Sequence, residues 1–131
     1  MIVIVDASAL VAVGIDEPEK AQMEDCLARA GQRFMAPLNI TETGLALVLR
    51  HGRFRADEFR EWLAEMGIME HPVSGVDALA AYLTYGKGVH RAGLNLGDCC
   101  AYALAKQLDA PLLYKGNDFI FTDVRSALQP T

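Results

Sequence analysis

The sequence predicts a single α/β domain over residues 1–131, folded as a three-layer α/β/α sandwich around a four- or five-stranded, mainly parallel sheet. Short apolar runs alternate with amphipathic segments along the chain, which is the pattern of repeated βαβ units. Residues 2–5 are four consecutive apolar, mostly β-branched residues, as expected of a central strand that is covered on both faces. With 52 % hydrophobic and 22 % charged residues, the composition favours a globular core and excludes a disordered protein.

The first quarter of the chain predicts one strand and two helices. The strand over residues 2–5 leads into a short helix that begins at Ala7, and a second helix begins with Asp16 as its N-cap and ends at Gly31. Apolar residues recur at helical spacing in the second helix, so we expect one of its faces to lie against the core. The residues of this face are Met23, Cys26, Leu27 and Ala30.

The middle of the chain predicts another strand and two more helices. The strand covers residues 34–36 and stops at Pro37, and the next helix begins at Thr41 and Glu42. The apolar face of that helix carries Leu45, Val48 and Leu49. Residues 50–55 form a loop that leads to a further amphipathic helix. The apolar face of this further helix carries Phe59, Trp62, Leu63 and Met66.

The last part of the chain predicts an edge strand, two helices and a buried strand. Residues 68–73 read as the edge strand, because Pro72 removes a backbone donor. A polar loop over residues 86–97 leads to an apolar helix from residue 98 to about 108, and a strand follows at residues 112–114. The helix before that loop has an apolar stripe, which we expect to be buried: Val76, Leu79, Ala80 and Leu83.

Four acidic residues lie at the ends of apolar segments. Asp6 and Asp118 each end an apolar strand, whereas Glu42 and Asp98 each open an apolar helix. In a doubly wound sheet, the carboxyl ends of the strands and the N-termini of the following helices share one edge, so the four acids are expected to converge. Taken singly, each acid is also explained as a turn or capping residue. Their common placement favours one acidic site.

Such a site would need a cation, because clustered carboxylates repel one another unless they are protonated or bridged. Oxygen ligands favour Mg²⁺ or Mn²⁺, which suit phosphodiester hydrolysis because a bound ion activates water and neutralises phosphate charge. We expect Asp6 and Asp98 to hold the principal ion. Asp118 would complete its coordination or hold a second ion, and Glu42 would bind an ion or orient the attacking water. Ser8 could donate a hydrogen bond to a carboxylate or to a bound water.

The charge distribution indicates which kinds of nucleic-acid binding are compatible with this chain. The net charge is −5, from 12 basic and 17 acidic residues, which argues against a protein that coats DNA but is compatible with a nuclease whose site is itself acidic. The basic residues that could contact RNA phosphates are Arg50, Arg53, Arg55, Lys87, Arg91 and Lys115. Solvated helix ends explain such clusters equally well.

The compartment is predicted from two absences in the sequence. No apolar run approaches the roughly 18–20 residues of a membrane span, and the N-terminus lacks the basic segment of a signal peptide. The three cysteines, Cys26, Cys99 and Cys100, have no metal-binding spacing and are expected to be buried thiols. We therefore expect a cytoplasmic protein with no membrane association.

Several stretches together resemble the PIN-domain ribonucleases of the VapC toxin family. They are IVIVDASAL at residues 2–10, Glu42, YGKG at 85–88, AGLN at 92–95, GDCCAYALA at 97–105 and LYKGNDF at 113–119. The match runs almost from end to end. It departs at Arg91, where such sequences often have proline, and at Cys100, where an aromatic residue is common.

This resemblance implies a PIN-like fold and an acidic site made by Asp6, Glu42, Asp98 and Asp118. Asp123 is a reserve candidate, and Ser8 and Asn117 are supporting residues. Proteins of this family are typically Mg²⁺-dependent, single-strand-specific endoribonucleases that cut tRNA, rRNA or mRNA. They are usually homodimers, and a VapB-type antitoxin neutralises them by covering the active-site groove with its C-terminal segment.

Two other functions stay open from the sequence. A PIN fold used only for binding would leave the acids solvated at the edge of the sheet. A flavodoxin-like phosphoacceptor module would account for an acid at the end of the first strand and for Lys115 after a late strand. However, no strand near residues 50–57 carries the central aspartate that such a module needs.

Overall fold

The computed structural model describes residues 1–128, in which strands and helices alternate along the chain. The strands of this part of the chain are β1 (Ile2–Val5), β2 (Gln32–Met35), β3 (Ile68–Glu70) and β4 (Leu112–Leu113). The α-helices are α1 (Ala7–Gly14), α2 (Lys20–Arg29), α3 (Pro37–Gly44), α4 (Ala56–Glu65), α5 (Gly75–Tyr85) and α6 (Leu96–Gln107). A π-helical segment, Leu45–Arg50, continues α3, and a 3₁₀ helix, Asp118–Phe121, follows β4.

The strands form one sheet in the order β3-β2-β1-β4, and every pair is parallel. In β1, Ile4 is in register with Phe34 of β2 on one side and with Leu112 of β4 on the other. The strand over residues 68–70 lies at an edge, as Pro72 predicts. The expected three-layer sandwich with a four-stranded parallel sheet is confirmed.

Both faces of the sheet are covered, which explains the unbroken apolar run in β1. Ile4 packs into the core beneath α5 and α6, together with Leu104 and Leu112. Val3 and Val5 point to the opposite face and pack into a second core with residues of α1 and α2. The central strand therefore has no polar face, as expected for a parallel strand between two helical layers.

The start of α2 differs from the prediction. The predicted stripe at Met23, Cys26, Leu27 and Ala30 is buried, but the helix begins at Lys20 and not at Asp16. Asp16 has a left-handed backbone, with φ of 56°, and its carboxylate accepts a hydrogen bond from the Lys20 ammonium at 2.5 Å. The acidic run thus belongs to a turn, and Asp16 binds a side chain instead of capping the helix.

The predicted buried face of the third helix was wrong. Leu45 and Leu49 are exposed, and α3 begins at Pro37 instead of Thr41. The face that is buried runs at helical spacing through Asn39, Thr43, Ala46 and Leu47. Two of these four residues are polar, so a search for apolar periodicity selected the neighbouring face.

The predicted buried face of α5 was also wrong. Val76, Leu79 and Leu83 are 75 %, 56 % and 64 % exposed, whereas Ala78 and Ala81 are buried. Helix α5 packs along α6, and small side chains on the inner face allow the two helices to approach closely. The fully buried part of this contact is therefore made by alanines, with Tyr85 packing beside Tyr102, and Val76, Leu79 and Leu83 face outward.

Two further expectations concern the chain as a whole. Within residues 1–128, none of the helices combines the length and the apolar character needed to span a bilayer. Cys26, Cys99 and Cys100 are all buried free thiols, as predicted.

Candidate active site

Asp6 lies directly after β1 and is only 4 % exposed. Its Oδ2 atom accepts two hydrogen bonds from Ser8, from the hydroxyl at 2.6 Å and from the backbone N–H at 3.1 Å. The Ser8 hydroxyl in turn accepts a hydrogen bond from the backbone N–H of Lys115, at 3.0 Å. Asp6 is thus held from two neighbouring strand ends, those of β1 and β4.

The ionised form of Asp6 is energetically unfavourable in this position. The pKa of Asp6 is raised to about 6, chiefly by burial and also by the nearby charge of Glu42, although the hydrogen bonds from Ser8 act in the opposite direction. A carboxylate that is buried beside another acid is poised to bind a proton or a cation.

Glu42 lies on α3 and contacts the start of α6. Its Oε1 atom accepts a hydrogen bond from the side-chain amide of Asn39 at 3.3 Å. The carboxylate lies so close to Gly97 that a Cβ atom at position 97 would overlap it. Burial and the charge of Asp98 raise the pKa of Glu42, whereas the Asn39 hydrogen bond and the charge of Arg50 lower it.

Asp98 lies in the first turn of α6 and forms a capping box with Asn95. The backbone N–H of Asp98 donates to Asn95 Oδ1 at 2.8 Å, and Asp98 Oδ2 accepts from the backbone N–H of Asn95 at 3.0 Å. The pKa of Asp98 is raised to about 6, chiefly by burial and also by the charges of Asp6 and Asp118, although the hydrogen bond from Asn95 acts in the opposite direction. Asp98 therefore serves as a capping residue and also faces other acids.

Asp118 begins the 3₁₀ helix after β4 and is exposed. Its charge contributes to the raised pKa of Asp98. The four predicted acids are thus linked electrostatically: Asp6 to Glu42, Glu42 to Asp98, and Asp98 to both Asp6 and Asp118. They lie at the carboxyl-terminal edge of the sheet, where the parallel topology places them.

The donor set suits a hard divalent cation, because it consists of carboxylate oxygens. Among residues 1–128, none of the four acids forms an ion pair with lysine, arginine or histidine. In the same part of the chain, however, no three side chains of the types His, Cys, Asp and Glu are grouped so as to hold an ion. Binding would require carboxylate side chains to move towards a common ion.

The reserve acid Asp123 lies in a different environment. It accepts hydrogen bonds from the Tyr102 hydroxyl and from the Lys106 ammonium, the latter at 3.1 Å, and these contacts lower its pKa. Its partners are on the second and third turns of α6 and not at the N-terminus, where Asp98 lies. Asn117, the other supporting residue proposed beside Ser8, is exposed and precedes Asp118 at the start of the 3₁₀ helix.

Some of the basic residues suggested for RNA binding are already engaged in ion pairs. Lys115 pairs with Glu17 and Glu19, and Arg55 pairs with Asp57 at 3.3 Å. These contacts are the physical reason why both side chains are less available to phosphate than the sequence suggested.

The remaining basic residues have different surroundings. The guanidinium group of Arg53 lies 4.7 Å from the centre of the Phe54 ring, and that of Arg91 lies 4.4 Å from the centre of the Phe121 ring. Arg50 and Lys87 are exposed, and the charge of Arg50 reaches Glu42. Arg50 is therefore the basic residue with the most direct electrostatic link to the acids.

Sequence reasoning missed Asn39 and Gly97. Asn39 is fully buried and donates hydrogen bonds to Glu42 and to the backbone carbonyl of Gly97, so it connects two of the acid-bearing helices. The sequence offered only their positions as a signal. Asn39 precedes Glu42 by one helical turn, and Gly97 directly precedes Asp98. Neither position distinguishes a site residue from an asparagine or a glycine that has no role in the site.

Known proteins resemble this chain over almost its whole length. The PIN domain family matches residues 3–125. VapC ribonuclease Mb0640 of Mycobacterium bovis and ribonuclease VapC30 of Mycobacterium tuberculosis are each 41 % identical over 130 residues, covering 97 % of this chain and 99 % of the relative. Ribonuclease VapC of Mycolicibacterium smegmatis is 42 % identical over 124 residues, covering 92 % of this chain and 96 % of the relative.

A solved structure has the same fold at much lower sequence identity. The crystal structure of Mycobacterium tuberculosis VapC20, described as a Sarcin-Ricin loop cleaving toxin, is similar with a TM-score of 0.71 and 17 % identity. The alignment covers 94 % of this chain and 98 % of that one. At this identity the likeness concerns the fold alone.

Proposed function

Because this chain belongs to the PIN-domain family and, within it, to the VapC ribonucleases, we propose that it is the toxin of a type II toxin–antitoxin pair, an endoribonuclease that hydrolyses phosphodiester bonds in RNA. The observation that carries this proposal is the group of four acids, Asp6, Glu42, Asp98 and Asp118. They are coupled electrostatically, and none of them forms an ion pair with a basic side chain in residues 1–128.

We propose Mg²⁺ or Mn²⁺ as the cofactor, held principally by Asp6 and Asp98. Asp118 would complete the coordination or hold a second ion, and Glu42 would bind an ion or orient the attacking water. When bound, such an ion supplies a water of lowered pKa and neutralises charge on the phosphate. The raised pKa values of Asp6 and Asp98 support this assignment, because both carboxylates lack a compensating positive charge.

The chain's own residues prepare this chemistry by holding the acids in place. Ser8 donates to Oδ2 of Asp6, and the N–H of Asn95 donates to Oδ2 of Asp98, so each acid has a defined orientation before an ion binds. Asn39 does the same for Glu42. The second carboxylate oxygens of Glu42 and Asp98 accept no hydrogen bond from residues 1–128, which leaves them available for a ligand.

The substrate class we propose is single-stranded RNA, taken from tRNA, rRNA or mRNA. The exposed side chains of Arg50 and Lys87 are the strongest candidates for phosphate contacts, because neither forms an ion pair within residues 1–128. Substituting either residue is expected to raise KM for RNA, and this effect should diminish at high salt, where phosphate contacts weaken.

The proposed partners are a VapB-type antitoxin and a second copy of this chain, with the cytoplasm as the compartment. These proposals come from the kinship with VapC ribonucleases. The exposed apolar side chains on α5 offer area for a protein contact. Sedimentation of the purified chain, alone and with the antitoxin, tests both partners.

The direct test is cleavage of single-stranded RNA by the purified protein with Mg²⁺ or Mn²⁺. We expect cleavage to be abolished by EDTA and to fall at least 100-fold in Asp98→Asn and in Asp6→Asn, while both variants stay folded. Asp123→Asn is the matched control, because Asp123 lies against Tyr102 and Lys106, and it should retain cleavage within about threefold. Undiminished cleavage by Asp6→Asn and Asp98→Asn would contradict the site.

A PIN fold used only for binding is the second candidate. The observation that favours it is that no three potential ligands in residues 1–128 are grouped around one point. It predicts RNA or protein binding with no cleavage and no specific ion binding. The phosphoacceptor hypothesis loses its basis, because the family match covers residues 3–125.

A further inference from the structure

Asn39 is a fully buried amide that bridges two elements of the acidic site. It is 0 % exposed, and its side-chain NH₂ group donates two hydrogen bonds: to Glu42 Oε1 at 3.3 Å and to the backbone carbonyl of Gly97 at 3.0 Å. The first acceptor lies one turn further along α3, and the second lies in the first turn of α6, directly before Asp98. One side chain therefore connects the two helices that carry Glu42 and Asp98.

The orientation of this amide follows from its partners. A carboxylate and a carbonyl oxygen both accept hydrogen bonds, so only the NH₂ side of Asn39 can face them. The other atom of the amide, Oδ1, is buried and has no hydrogen-bond partner among residues 1–128. Burying an unpaired carbonyl is unfavourable, so packing alone does not account for asparagine at this position. The two donated hydrogen bonds do account for it.

The Glu42 carboxylate also lies directly against Gly97. A Cβ atom at position 97 would overlap the carboxylate of Glu42, so the carboxylate lies directly over the backbone at the start of α6. With Oε1 held by Asn39, Oε2 of Glu42 accepts no hydrogen bond from the described residues 1–128. The position of Glu42 relative to Asp98 is thus defined by the Asn39 donor in α3 and by the absence of a side chain at Gly97 in α6.

From this geometry we propose that Asn39 is a positioning residue for RNA cleavage, which holds the Glu42 carboxylate against the first turn of α6 beside Asp98. The inference rests on the proposed function, because it assigns Asn39 a role in the reaction through Glu42. Loss of the two donors leaves Glu42 free to adopt other rotamers, and a misplaced group at a reaction centre lowers the rate of the chemical step.

Thr43 offers a matched control within the same helix. It is fully buried like Asn39, and its hydroxyl donates to the backbone carbonyl of Asn39 at 2.7 Å. This hydrogen bond stays within α3 and does not involve Glu42. Thr43→Val therefore removes a buried hydrogen bond from α3 while leaving the contact between Asn39 and Glu42 in place.

The experiment compares wild type, Asn39→Leu and Thr43→Val by RNA-cleavage kinetics, thermal denaturation and Mn²⁺ binding measured by calorimetry. For Asn39→Leu we expect kcat to fall at least tenfold with KM for RNA within about threefold, and Mn²⁺ to bind more weakly. Thr43→Val should keep kcat and Mn²⁺ affinity within twofold, whatever its melting temperature. Should Asn39→Leu fail to fold, Asn39→Ala, which also removes both donors, gives the same comparison.

A second arm separates positioning from a general structural effect. In a Glu42→Gln background, adding Asn39→Leu should change kcat and Mn²⁺ affinity by less than twofold, because Asn39 acts through the carboxylate that is already altered. An undiminished effect of Asn39→Leu in this background would overturn the inference, as would equal kcat and Mn²⁺ affinity in Asn39→Leu and Thr43→Val.

The behaviour of wild type distinguishes failure of the proposed function from failure of this inference. If wild type binds Mn²⁺ but cleaves no RNA, the proposed ribonuclease activity is contradicted, and the Mn²⁺ affinities of the Asn39 variants decide the inference. If wild type neither binds Mn²⁺ nor cleaves RNA, both proposals are overturned.

Discussion

Single residues of the acidic site have two roles at once, and Asp98 is the clearest case. Its Oδ2 atom closes a capping box with Asn95, while its charge faces Asp6 and Asp118. A first-turn aspartate that caps a helix is common, so its presence alone says little about catalysis. The unusual feature is that burial beside other acids raises the pKa of a carboxyl group that a helix N-terminus would ordinarily keep low.

Two substitutions of Asp98 should separate these roles. Asp98→Asn keeps a side-chain oxygen that can accept from the N–H of Asn95 and removes a charge that burial disfavours, so without metal we expect stability at or above that of wild type, with cleavage lost. Asp98→Ala removes the cap as well, and we expect it to be about 1 kcal/mol less stable than Asp98→Asn. Urea denaturation without metal, alongside the cleavage assay, measures both effects. Equal stability of the two variants would show that the capping box contributes little.

Lys115 shows how a residue suggested for RNA binding has a structural role instead. Its ammonium group pairs with Glu17 and Glu19, and its backbone N–H donates to the Ser8 hydroxyl, which holds Asp6. The pairing raises the pKa of Lys115. From the sequence this lysine could not be distinguished from a free cation, because its partners are almost 100 residues away along the chain.

At the scale of elements, the helices follow two different rules of burial. Helix α2 buries large apolar residues at helical spacing, as predicted. Helix α5 buries alanines instead, and α3 buries Asn39 and Thr43. Hydrophobic periodicity identifies a helix correctly in all three cases, but it selects the buried face only where the helix packs through large side chains.

This distinction predicts that substitutions on the two faces of α5 differ in their effect on stability. Leu79→Gln and Leu83→Gln lie on the exposed face, so the folded chain should change in stability by no more than about 0.5 kcal/mol. Ala81→Leu inserts a large side chain between α5 and α6 and should cost about 1–3 kcal/mol. Denaturant unfolding at low protein concentration, where association is minimal, makes the comparison. A marked loss of stability in Leu79→Gln would contradict the assignment of the faces.

For the molecule as a whole, the acidic site opposes folding at neutral pH when no cation is bound. The pKa values of Asp6 and Asp98 are raised to about 6 from the ordinary 3.8. Both acids thus bind protons more tightly in the folded state. The stability linked to these protons is fully present below pH 3.8 and is lost as the pH rises through about 6.

Neutralising Asp6 should therefore stabilise the metal-free protein. We expect Asp6→Asn, measured in EDTA at pH 7.5, to be more stable than wild type by on the order of 1–3 kcal/mol, because no buried charge remains. Thermal denaturation between pH 5 and 8 should show the difference shrinking towards pH 5. Mg²⁺ should raise the melting temperature of wild type at pH 7.5 and raise that of Asp6→Asn much less.

Asp123→Asn is a control for this experiment, because its expected change in stability has the opposite sign. Contacts with Tyr102 and Lys106 lower the pKa of Asp123, so its charge favours folding and its removal should lower stability at neutral pH. The response of this variant to Mg²⁺ should equal that of wild type. If Asp6→Asn were less stable than wild type in EDTA at every pH, the raised pKa of Asp6 would be contradicted.

The sequence by itself determined the class of fold and the position of each acid along it. Alternating apolar strands and amphipathic helices leave a parallel sheet between two helical layers as the favoured arrangement, and that topology brings strand ends and helix starts to one edge. Asp6, Glu42, Asp98 and Asp118 could therefore be assigned to a common edge from local signals. Glu42 is the exception in detail, because it lies in the second turn of α3, which begins at Pro37, and does not open the helix as the sequence suggested.

Only the tertiary structure decided which neighbours surround those acids. The hydrogen bonds from Asn39 to Glu42 and Gly97, the pairing of Lys115 with Glu17, and the contacts of Asp123 with Tyr102 and Lys106 all join residues whose relation depends on how elements pack. The buried faces of α3 and α5 were decided in the same way. Periodicity reports what a segment prefers to bury, whereas packing selects the side chains that fit the space between two particular elements.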